Sequence, residues 1–197
     1  MDRKILVAGV GIVGFLFVFY LIVFTQTGAE GESQAGKASV KDEIFSAWKP
    51  FTSEKNHFSA LFPLLPQKVS HAVTTPGSAQ KATLTMYVSE SPNGTVLSVR
   101  VVKYSEEEKD VMDLMKLTMN SMMEAHSESV LRDIRENTFL GNPGLEFSIQ
   151  DPEIRIMAQS FFKDNAQYSL IYISKLDSFD EDIFRHFVSS FKLTNGG

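Results

Sequence analysis

Histidine, serine, lysine and clustered acids are the side chains here that could move protons, hold metals or attack carbonyls. His57, His71, His126 and His186 are scattered, with no HExxH and no closely spaced metal pair. Asp182 and His186 stand four apart and could share a cation, but an acid at that place more simply serves a helix N-terminus. Asp177, Asp180, Glu181 and Asp182 cluster without the alternating ligands and central glycine of an EF-hand, so capping and dipole complementation account for them. Ser46 and Lys49 match Ser-x-x-Lys, yet the companion elements of that machinery are absent. No Gly-x-Ser-x-Gly elbow or Walker loop occurs in the domain, and no pair of carboxylates is marked as facing a cleft. With no cysteine, thiolate nucleophiles, Cys–zinc sites, iron–sulfur clusters and disulfides are excluded. The expectation is a protein that is not an enzyme and uses neither metal nor cofactor.

The methionines are less ordinary. Met112, Met115, Met119, Met122 and Met123 fall within twelve residues. At 100° per residue, Met115, Met119 and Met122 centre an apolar arc and should be core. Met112 and Met123 lie on its flanks. Methionine repacks around varied surfaces, so these two are the candidate partner-binding residues.

Around these residues, the first element decides location. Ile5 to Phe24 is a run of twenty residues without a charge, Asn, Gln, Ser or Thr, preceded by Arg3 and Lys4. As a helix it would be about 30 Å long, matching the hydrocarbon core of a bilayer. The charge bias keeps residues 1–4 cytoplasmic as a stub and sends the remainder outside, periplasmic in a Gram-negative cell. Gly9-Val10-Gly11-Ile12-Val13-Gly14 matches the dinucleotide fingerprint literally, but Phe15–Phe24 has no polar face and no second strand follows. A signal peptide cleaved near Thr27-Gly28-Ala29 is the competing reading to an uncleaved signal-anchor; its apolar region would be long for that role. Residues 25–42 have linker composition, and residues 43–197 form the extracytoplasmic domain. A net charge of −5 over 197 residues offers no field for nucleic acid.

Within the domain, 42–48 reads as a short helix stopped by Pro50, and His57–Phe62 as an edge strand ending at Pro63. Gln67–Thr74, Lys81–Ser89 and Thr95–Tyr104 alternate as strands, the last two joined by Ser91-Pro92-Asn93-Gly94, a hairpin signal. Ser105 and Glu108 form a capping-box pattern that would open a long amphipathic helix reaching His126. Strands follow over Ser129–Phe139, Leu145–Gln150, Ile154–Lys163 and Gln167–Ser174, with Gly141–Gly144 read as a turn and Glu146 on a solvated strand face. Ser178 and Glu181 repeat the capping box before a helix carrying Phe184, Phe187 and Phe191 on one face. This order predicts an α+β domain: a mostly antiparallel sheet packed by one long amphipathic helix and a C-terminal helix, behind a single transmembrane helix.

Three stretches carry a family resemblance: His57–Pro63 with Pro66 beyond it, Leu140–Phe147, and Phe184–Leu193. On these the chain resembles the PsbP-like superfamily, including DcrB-like bacterial envelope proteins, from about residue 50 to 193. The resemblance implies a fold and no shared catalytic centre. The expected function is a membrane-anchored module that binds an envelope protein partner or assists assembly. The alternative is a carrier for a small hydrophobic ligand or lipid.

Overall fold

Strands appear where β-branched and aromatic residues alternate, and helices where the apolar period lengthens to three or four. The computed structural model describes residues 37–74, 81–125 and 128–194, so the apolar run at 5–24 and its transmembrane reading lie outside the described residues. Among the described residues no helix is long and apolar enough to cross a membrane. The elements are α1 (Lys37–Ser46), β1 (Lys49–Ser53), β2 (Phe58–Phe62), β3 (Gln67–Thr74), β4 (Lys81–Glu90), β5 (Val96–Tyr104), α2 (Val111–Glu124), β6 (Val130–Phe139), β7 (Asn142–Gln150), β8 (Ile154–Lys163), β9 (Ala166–Lys175), α3 (Glu181–Ser190) and β10 (Lys192–Leu193). Seven strands make one sheet in the order β3-β4-β5-β9-β8-β7-β6, and β1-β2-β10 make a second. All pairings are antiparallel, as the hairpin-rich sequence predicts.

The inner strands of the large sheet, β4, β5 and β7–β9, are buried on both faces, while its outer strands β3 and β6 are largely exposed. One face packs against the small sheet and α3 through Phe58, Phe62, Phe161, Tyr172, Phe184 and Phe187. The other meets α2, whose Met115, Met119 and Met122 pack on Leu145, Phe147 and Ile156. The sequence places these three methionines correctly; they are 0–6% exposed.

Several expectations are corrected. β2 is not an edge strand: β1 pairs along its length and β10 pairs with Phe58 and Ser59. Pro63 lies beyond its last residue, and Pro50 sits on β1, an outer strand where a missing N–H is tolerated. The long helix starts at Val111, not after Ser105, and its N-cap Asp110 makes no side-chain cap. Ser105 N–H donates instead to Lys81 C=O, and Glu106–Asp110 carry nothing apolar for a helix to bury. The turn before β7 is Leu140-Gly141, with φ of 50° and 77°, while Pro143 and Gly144 lie inside the strand. α3 is capped by Asp180, whose Oδ1 accepts from Asp182 N–H, because Ser178 is taken up in a preceding turn of 3-10 helix. Glu146 is buried rather than solvated, since both its oxygens accept from Arg185 on α3, at 2.7 and 2.9 Å.

α1 begins at Lys37, inside the stretch of linker composition. It is tied to α3 by Lys41, 2.9 Å from Asp180, and by Phe45, which stacks on His186 with ring centroids 4.1 Å apart. Trp48 closes the same corner, 7% exposed and edge-on to both rings.

Candidate functional site

Among the described residues, four non-glycine residues hold left-handed backbone: His57, Leu140, Asp164 and Asn165. Three of them line one cleft of about 710 Å³, together with Lys103, Tyr104, Lys163, Tyr168 and Thr194. Left-handed backbone in non-glycine residues costs free energy and persists where the surroundings over-determine it.

The surroundings do so here through side-chain hydrogen bonds. The β1–β2 turn packs Asn56 against the sheet: its Nδ2 donates to Tyr87 Oη at 3.0 Å, and Tyr168 Oη donates to its carbonyl at 3.1 Å. Ser53 Oγ lies 2.7 Å from the same Tyr87 Oη. His57 then reverses the chain, and its carbonyl accepts from Thr194 N–H. Across the cleft, Asp164 and Asn165 turn β8 into β9, with φ of 48° and 58°. Asn165 Nδ2 donates to Tyr104 C=O at 2.9 Å, while its Oδ1 is buried without a partner.

The charge lining this cleft is mainly positive, on a chain whose net charge is −5. Lys103 Nζ donates to Lys55 C=O at 2.8 Å; burial, then the nearby Lys55 charge, lower its pKa. Lys163 is 3.3 Å from Asp164. Burial raises Tyr168, and it pushes Tyr104 up to about 12, so both phenols stay neutral donors at ordinary pH. The arrangement can therefore receive an anionic group by charge and hydrogen bonding. Among the described residues, no group of three His, Asp or Glu side chains could hold a metal ion.

Met112 and Met123 are half-buried at the edges of α2 and pack against the core beneath it; neither lines the cleft. Asp182 and His186 are not brought to a common ligand, because Asp182 faces Lys41 and His186 stacks on Phe45. His57, Lys103 and Asn165 escaped the sequence reading as site residues. The usable signal was Asp164-Asn165 between two alternating strands, which marks a tight turn and nothing about what faces it.

Comparison with known proteins gives structural likeness only. No family model and no curated protein matches the sequence. By structure, the chain is similar to cyanobacterial PsbP (CyanoP) from Synechocystis sp. PCC 6803, with a TM-score of 0.49 and 13% identity over 85% of this chain and 98% of that one. It is also similar to PA94 of Pseudomonas aeruginosa, a protein of unknown function, with a TM-score of 0.40 and 7% identity over 70% of this chain and 91% of that one.

Proposed function

We propose that this chain is a membrane-anchored, extracytoplasmic protein-binding or assembly module without catalytic activity, a PsbP-like domain of the DcrB-like kind behind an N-terminal signal-anchor. One observation carries the binding role: lysines and left-handed residues converge on one cleft, and hydrogen bonds from the core hold its turns. Turns fixed in this way present a pre-organised surface, which lowers the ordering cost of association. The partner chemistry that fits is an acidic segment of an envelope protein. The uncharged run Ile5–Phe24 behind Arg3 and Lys4 supports the tether and its orientation.

A photo-crosslinking residue at position 164 tests this in cells. The expected outcome is a discrete protein adduct that Lys103→Glu with Lys163→Glu removes while the melting temperature changes by only a few degrees. No adduct from position 164, or one indifferent to both charge reversals, would overturn the reading. An adduct obtained only from position 112 would move the contact to α2.

The carrier reading is favoured by a separate observation: Arg100, buried on the opposite face of the large sheet, makes no hydrogen bond or ion pair among the described residues.

A further inference from the structure

The two ends of the large sheet carry different things. One end gathers the start of β3, the β4–β5 hairpin, the end of β9 and the starts of β8 and β6. The register places them together: Gln67 pairs with Val88, Glu90 with Val96, Val96 with Ile173, Ile154 with Lys175 and Val130 with Gln150. The lysine cleft lies at the other end, where Lys103 and Lys163 both pair with Ala166. β8 and β9 have ten residues each, so about 30 Å of strand separates the two ends.

The chain enters the domain at the first end. α3 starts there, with Asp180 N–H donating to Tyr172 Oη at 3.0 Å and Arg155 lying 4.5 Å over the Phe179 ring. It finishes near the cleft end, where Phe191 packs on Phe139, Phe161 and Tyr168. α1 runs in the same sense as α3, because Lys41 meets Asp180 and Asp182 while Phe45, one turn later, meets His186. Lys37 therefore begins α1 about 6 Å before the level of Asp180, one further turn away from the cleft. Residues 25–36, twelve in all, stand between α1 and the apolar run Ile5–Phe24. A chain of that length reaches at most about 40 Å, and about 20 Å when not stretched.

Large apolar side chains are exposed at this same end. Leu64 and Leu65 are 51% and 68% exposed, Val130 49% and Leu176 37%. Pro63 and Pro66 bracket the leucine pair and fix the backbone on either side of it. Leu64 N–H donates to Ser89 Oγ near the end of β4, at 3.2 Å. Leu176 N–H donates to Glu153 C=O before the start of β8, at 3.0 Å. β4 and β9 are two strand spacings apart, so the two anchor points lie about 10 Å from each other. The charges around them, Lys68, Glu90, Glu153, Lys175 and Asp177, are mixed in sign and nearly cancel. The end therefore offers apolar contact without a strong field.

We propose that this end of the domain rests on the bilayer surface, with Leu64, Leu65 and Leu176 set among the lipid head groups and the lysine cleft turned away from the membrane. The short reach from the apolar run to Lys37 brings this end, and not the cleft, to the lipid. A few leucines suffice, because the tether holds the domain at a high local concentration of lipid. The balanced charge fits a zwitterionic lipid surface. This orientation rests on the membrane-anchored reading and leaves the cleft open to a partner approaching from the far side.

The chain has no cysteine, so Phe15→Cys, Lys163→Cys and Asp177→Cys each give a single site for a fluorophore. The full chain is reconstituted in phosphatidylcholine vesicles in which some lipids carry a nitroxide quencher, on the head group or on the acyl chain. The expected result is quenching of position 15 by the acyl-chain nitroxide, and several-fold stronger quenching of position 177 than of position 163 by the head-group nitroxide. Leu64→Ser with Leu65→Ser should bring position 177 down towards the level of position 163. The melting temperature should change by only a few degrees, because both leucines are exposed. Equal quenching at 177 and 163, with position 15 quenched, would overturn the orientation and leave the anchor standing. An unquenched position 15 would overturn both. Undiminished quenching at 177 in the double serine variant would take the leucines out of the contact, and the proposal would fall with them.

Discussion

The two faces of the seven-stranded sheet are built from different materials. The side that meets the small sheet and α3 is aromatic: Phe58 stacks on Phe191 at 5.5 Å, Phe161 on Tyr168 at 5.0 Å, and Phe62 meets Phe187 edge-on. Its tyrosines also reach polar partners, Tyr87 at Ser53, Tyr168 at the Asn56 carbonyl, and Tyr172 at Asp180 N–H. Rings with few torsions and tethered hydroxyls fix positions to within a rotamer. The other side is aliphatic and methionine-rich. Methionine has three soft torsions and fills space without specifying it. One face therefore sets the geometry of the cleft turns, while the other can tolerate change.

Truncation should expose this contrast first. Phe184 is fully buried among the aromatic packing of α3. Phe184→Ala should cost about 3–5 kcal/mol in denaturant unfolding, through lost transfer energy and the cavity left behind. Met119→Leu on the opposite side should cost less than about 1.5 kcal/mol, because the swap nearly conserves volume in a yielding layer. Comparable losses at both positions would erase the distinction.

A smaller effect is expected at Gly144, where the aromatic side admits no extra atom. The Asn137 and Gln159 amides form a reciprocal pair across this strand, at 2.8 and 3.2 Å. A methyl group on Gly144 would stand 2.5 Å from Asn137 Oδ1 and 3.0 Å from Gln159 Nε2. Gly144→Ala should therefore destabilise by about 1–3 kcal/mol, and thermal melts would show it. Replacing Asn137 by Ala in the same chain should remove part of that penalty. An unchanged melt for Gly144→Ala would mean that the pair slides aside freely.

The same contrast explains what was legible in the sequence. The period of Met115, Met119 and Met122 marked the core side of α2, because burial of a helix stripe follows from spacing alone. The start of α2 was misread, because Ser105 and Glu108 satisfy a local rule while tertiary packing decides where a helix is worth forming. Glu146 looked solvated because its partner, Arg185, lies 39 residues away. The cleft was hidden for a related reason: His57, Lys103 and Asn165 come from separate hairpins, and nothing local announces a left-handed histidine. Arg100 did leave a trace, as the lone charge between Val96 and Val102 on a strand apolar on both sides.

The smallest expected effect concerns Leu140, the left-handed residue that lies outside the cleft. Phe139 and Asn142 face each other across Leu140-Gly141, both with positive φ, so the connection is a two-residue hairpin turn of the mirror-image kind. That turn favours Asn at its first position, where a leucine side chain crowds the backbone. Leu140 has little packing to set against the strain, being 46% exposed. Phe139 holds the hairpin instead, with its ring 5.2 Å from Phe161 and 6.4 Å from Phe191. The aromatic side thus fixes this turn as it fixes those of the cleft, with no ligand-facing group to show for it. Leu140→Asn should relieve the backbone and raise stability by about 0.5–1 kcal/mol in urea unfolding, leaving any adduct from position 164 unchanged. A loss of stability would mean that the leucine side chain, half exposed as it is, contributes more through contact than its backbone costs.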